Sequence, residues 1–130
     1  MSIKLFGYAG LGLLSGLIAG SVPLIWAKLR EPRLDPFDHG FSYLTWLGLS
    51  LVAALGLAYV WPRQRWLSAL AVFSGFVGSM ILEIVIDSYT GRYPHNLWPL
   101  TLALTIVIGA PPAFTGGYFG AKLRRGDGAT

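Results

Sequence analysis

The sequence predicts an all-α integral membrane protein, with four transmembrane helices in one compact bundle. Three observations carry that expectation. Long apolar runs recur along the chain and hold almost no charge. Charged residues make up 12% of the 130 residues, against roughly 25% in soluble domains, and the hydrophobic share is 54%. Small residues recur at four-residue spacing inside every run. A soluble domain of this size has too little interior to hide so much apolar surface, whereas a bilayer removes the need to hide it.

A helix needs about 20 mostly apolar residues to cross the hydrocarbon layer. The first run, at about 5–27, and the second, at about 41–60, contain no charge. The third, at about 66–86, contains one, Glu83, and the fourth, at about 97–121, contains none. The segments between them gather the Pro, Asp and Arg residues that end helices and avoid lipid. The runs are long and unbroken, unlike the short alternating strands of a membrane barrel. The first exceeds the 7–15-residue apolar core of a signal peptide, so it is expected to be a retained helix. The whole chain reads as a single transmembrane domain.

Orientation follows the distribution of Lys and Arg in short loops. Lys4, Arg63, Arg65, Lys122, Arg124 and Arg125 fall on one side, and Lys28, Arg30, Arg33 and Arg92 on the other. Six against four is a narrow margin, and it places both termini in the cytoplasm of a cell (inner) membrane. Trp and Tyr residues flank the runs, as aromatic side chains do at headgroup level. The net charge of +4 comes from these helix ends, so lipid headgroups, and not nucleic acid, are the expected partners.

The small-residue stripes are Gly12, Gly16 and Gly20 in the first run; Ser50, Ala54 and Ala58 in the second; and Ala71, Gly75 and Ser79 in the third. Thr101, Thr105, Gly109, Ala113, Gly117 and Ala121 form the stripe in the fourth. Residues four apart share a helix face, and small ones there let two backbones approach. The same stripes would serve a homo-oligomer or a larger membrane complex.

Two features depart from plain packing. Glu83 and Asp87 continue the stripe of the third run, one turn apart, where a charge costs roughly 2.5–3.5 kcal/mol at mid-membrane and less near the ends. Pro111 and Pro112 sit within the fourth run, where each removes a backbone donor, so a kink or break is expected. A broken helix can present carbonyls to an ion. Glu83, Asp87, Thr101, Thr105 and Pro111 are therefore the candidate polar or transport residues, lining a funnel toward the prolines. Asp35, Asp38, His39 and His95 form a weaker set of oxygen and nitrogen ligands that would suit a divalent ion. No cofactor is otherwise implied. The absence of cysteine excludes thiolate chemistry.

No motif marks a resemblance to a known family, and no catalytic spacing is present. The leading expectation is a structural or accessory subunit of a membrane complex, without catalytic activity. A small oligomeric transporter or channel using Glu83 is the alternative. A metal-binding protein or enzyme using His39, His95 and the nearby acids is the second alternative.

Overall fold

The computed structural model describes residues 3–30, 40–90 and 98–127, and these form four helices. They are α1 (Ile3–Arg30), α2 (Gly40–Val60), α3 (Arg65–Thr90) and α4 (Trp98–Asp127), with a 3-10 turn at Pro62–Gln64. α1, α3 and α4 are long and apolar enough to cross a membrane; the shorter apolar stretch of α2 is Leu44–Val60. In the tight connection between α2 and α3, the Trp61 amide donates to the Leu57 carbonyl at 2.9 Å. The Gln64 amide donates to Trp61 at 3.0 Å. Pro62 opens the turn, where its missing N–H is not needed.

The helix boundaries correct the sequence reading at α3. The third run was expected to end at about 86, with Asp87 at its boundary, and α3 continues to Thr90. Side-chain hydroxyls support the added turn. Ser88 donates to the Ile84 carbonyl at 2.7 Å, and Thr90 donates to that of Ile86 at 2.9 Å. Asp87 is thus on the same helix as Glu83, one turn further on.

α4 is helical without interruption through Pro111 and Pro112, so the pair does not break it in two. Helix on both sides of the prolines is held by packing against α2 and α3, which outweighs the loss of two backbone bonds. α1 likewise continues through Pro23.

α1 packs chiefly on α3, and α2 on α4. α3 also packs on α4, and α1 on α2, whereas α1 and α4 do not touch among the described residues. Glycine contacts set the directions. A Cβ on Gly12 would meet that of Ala71 at 2.6 Å, and one on Gly20 would meet that of Ser79 at 2.8 Å, so α1 and α3 run parallel. On α4, Gly116 lies against Leu51 and Gly120 against Leu55, so α2 and α4 are parallel too. Gly109 meets Phe76 and Gly117 meets Ala69, so α3 and α4 are antiparallel. The helices therefore alternate in direction, and the start of α1 and the end of α4 share one end.

Size sorts the residues in an unusual way. Ala54, Ala58, Ala69, Ala113 and Ala121 are fully buried. Large aliphatic residues face outward, with Leu44 73% and Val107 69% exposed. Water would favour the reverse arrangement. In lipid an exposed Leu costs nothing, and close backbone approach through small residues provides the attraction between helices.

Candidate functional site

The acids of α3 sit at the end away from the termini. Residues four apart share a face, so Ser79, Glu83 and Asp87 form one row that leaves the packed zone at Ser79. Ser79 is buried, and Glu83 and Asp87 are half-buried. The antiparallel register of α3 and α4, with Phe76 against Gly109 and Ala69 against Gly117, brings Glu83 level with Leu102 and Ala103, Thr101 lying less than a turn beyond, and Met80 level with Thr105 and Ile106. Glu83, Asp87 and Thr101 each have interactions of their own. Thr101 is half-buried and Thr105 is only 2% exposed.

The interior hydroxyls are turned back onto their own helices. Thr105 donates to the Thr101 carbonyl at 2.8 Å, and Ser79 donates to that of Phe76 at 2.7 Å. Each has used its only proton, so toward any ligand each offers just oxygen lone pairs. Ser50 differs: its hydroxyl is fully buried and has no hydrogen-bond partner. In the row of Ser50, Ala54 and Ala58, this is the one polar atom, enclosed near mid-helix.

Below the Glu83 level, an apolar plug fills the space between the helices. Leu24, Trp46, Phe76 and Met80 form it, with Ile84 packed on its edge. The Trp46 and Phe76 rings lie 4.5 Å apart at a tilt of 43°. The Phe76 ring covers Gly109 so closely that a Cβ there would come within 2.6 Å of it. The Trp46 indole N–H reaches across to α1 and donates to the Gly20 carbonyl at 3.0 Å. That carbonyl lies in the turn disturbed by Pro23, and no side chain at position 20 obstructs its approach.

These placements separate the residues that the sequence grouped as one funnel. Thr105, Gly109 and Ala113 face inward. Pro111 is exposed on the outer surface of α4, as is Val107, whose carbonyl loses its donor to Pro111. Two residues along a helix is a rotation of about 200°, which turns Pro111 away from the interior row. The structure thus leaves Pro111 outside the inward row of Thr105, Gly109 and Ala113. The Phe76–Trp46 plug stands between the Glu83 level and the level of the prolines.

Asp35, Asp38, His39 and His95 lie outside the described residues. Among the described residues, no three metal-capable side chains come together. Among the glycines, Gly12, Gly16 and Gly20 lie on α3, Gly75 on α1, and Gly109 and Gly117 on α3. The sequence reading passed over Gly116 and Gly120, which meet α2, although they form a four-residue repeat one position from the chosen stripe. It also passed over Pro23 and the reach of Trp46, neither of which has a periodic signal.

Because the Thr105 proton is already used within α4, Thr105→Val is expected to change stability by less than about 1 kcal/mol. An SDS unfolding titration in mixed micelles measures this. A loss of several kcal/mol would mean that the hydroxyl serves another helix.

Compared with protein families, curated proteins and solved structures, the chain matches none.

Proposed function

We propose that this chain is a four-span membrane protein that serves as a structural or accessory subunit of a larger membrane assembly, with no catalysis of its own. The observation that carries the reading is the filled interior. Small residues bring backbones together, the Ser79 and Thr105 hydroxyls are satisfied within their own helices, and a Trp–Phe plug closes the middle. A protein built this way presents its outer faces, rather than a lumen, to whatever it works with.

In this reading α2 is the fourth span. Its 21 residues extend about 32 Å, enough for a hydrocarbon layer of about 30 Å. The four helices form a compact bundle, α4 bends at Pro111 and Pro112 without breaking, and both termini are cytoplasmic. The six cations assigned to that side support the orientation.

The test is the mass of the particle released from native membranes in mild detergent, with stoichiometry from native mass spectrometry. Other subunits are expected in fixed ratio. A lone monomer would overturn the accessory role.

A transporter is the second reading. It draws on the half-buried Glu83 and Asp87, which share one face of α3 one turn apart, with Thr101 between their levels on α4. In proteoliposomes the purified chain and its Glu83→Gln variant are expected to show the same proton and cation leak. A flux abolished by Glu83→Gln, with folding intact, would replace the accessory reading with transport.

A further inference from the structure

The end of the molecule that holds the start of α1 and the end of α4 is both aromatic and basic. The Arg65 guanidinium lies over two rings, 5.2 Å from the centroid of Trp66 and 5.7 Å from that of Tyr118. Arg124 lies over Tyr59 at 5.5 Å. Tyr8 and Trp61 stack at 4.1 Å beside them, tying α1 to the α2–α3 connection. Lys4, Arg63, Lys122 and Arg125 are exposed at the same end. Glu83 and Asp87 are at the opposite end of α3, so Asp127, in the last turn of α4, is the one acid that the described helices carry here.

A guanidinium laid on aromatic faces is held by them while its edge N–H groups stay open to an acceptor. Here the two rings under Arg65 are themselves 54% and 45% exposed, at Trp66 and Tyr118. Trp and Tyr rings of this kind settle at headgroup depth, which sets the height of Arg65 at the phosphate layer. The first amides of α3, which begins at Arg65, add partial positive charge at that height. The cations are spread around the rim rather than gathered in a cleft. That arrangement matches several separate headgroups better than one soluble anion.

We infer that this end is a docking surface for anionic phospholipids, whose phosphodiester headgroups are held by Arg65 on Trp66 and Tyr118 and by Arg124 on Tyr59. The inference rests on the chain being embedded in a bilayer. Retention in membranes after alkaline carbonate extraction tests that premise separately.

The experiment uses the full chain, stripped of lipid and returned to mixed micelles with equal amounts of phosphatidylglycerol and phosphatidylcholine. Retained lipid is then counted by native mass spectrometry. Wild type is expected to hold phosphatidylglycerol at least fivefold over phosphatidylcholine. Each of Arg65→Gln and Arg124→Gln is expected to lower that preference about fivefold, the effect of one charge near the surface. Arg124 is exposed near the end of α4, so its variant tests the proposal even where Arg65→Gln fails to fold. Lys28→Gln, in the last turns of α1 at the other end, should leave the preference unchanged. Equal retention of the two lipids by wild type would overturn the proposal. So would an equal loss on Lys28→Gln, or displacement of the lipid by matched concentrations of glycerol 3-phosphate, which would make the surface a site for a soluble anion.

Discussion

Gly16→Val is expected to destabilise the protein by about 3 kcal/mol, the upper part of the usual range for overpacking a close contact. The reason is the chemical nature of what a side chain would meet. A Cβ on Gly16 would run into the Val72 carbonyl oxygen, with the Val72 carbonyl carbon at 2.8 Å and the Phe76 amide nitrogen at 3.0 Å. All three are backbone atoms of α3, so no rotamer change can clear them and the two helices must separate. Gly75 faces α1 in the same way, with the Leu17 amide nitrogen at 2.8 Å from its would-be Cβ. Gly20 is a milder case, because its neighbour is the Ser79 side chain, which can rotate. Gly48 and Gly56 have open space around them. The expected order of damage on substitution by Ala is therefore Gly16, then Gly20, then Gly48. Gly48→Ala should gain about 0.5–1 kcal/mol, because Gly is the poorer helix former. SDS unfolding titrations in mixed micelles give the order directly. If Gly16→Ala and Gly48→Ala unfolded at the same detergent fraction, the α1–α3 contact described above would be wrong.

That ranking also marks where the sequence was informative. Helix number could be read from runs of apolar residues, because in a membrane every long apolar run has only a few conformations open to it. Four-residue spacing placed Gly12, Gly16, Gly20 and Gly75 on shared faces. It could not say which face meets which helix, nor choose between Gly117 and its neighbour Gly116, and both are used, against different helices. The polar reading was less secure for a related reason. Depth along a helix can be counted from sequence, and the register of Phe76 against Gly109 puts Thr101 within a turn of the Glu83 level. Rotation about the helix axis is set by partners. Pro111, counted as part of the interior path, lies on the outside because Thr105, Gly109 and Ala113 occupy the inner face. The proline pair also shows that a local rule was overridden: two missing donors did not end α4, because packing along its length maintains the helix.

The second large effect is expected at Trp46, where two variants separate packing from hydrogen bonding. Trp46 is 5% exposed, stacks on Phe76 at 4.5 Å and donates to the Gly20 carbonyl at 3.0 Å. Trp46→Ala removes the largest member of the plug and leaves a cavity among Leu24, Phe76 and Met80. The expected loss is about 3–5 kcal/mol. Trp46→Phe keeps most of the ring volume and removes only the indole N–H. Hydrogen bonds between membrane helices average about 0.6 kcal/mol, so a loss near 1 kcal/mol is expected. The Gly20 carbonyl retains its helical donor on Leu24, since the donor lost to Pro23 belonged to Ala19. The plug therefore owes its stability mainly to ring contact, and the indole bond fixes the orientation of the ring. Equal losses for the two variants would reverse that assignment and make the link between α2 and the Gly20 carbonyl the dominant tie. The same pair bears on function. If the plug is a gate, Trp46→Ala should open a leak through proteoliposomes that Trp46→Phe does not; if the interior is simply filled, as the accessory reading holds, the Ala variant should be less stable and no leakier.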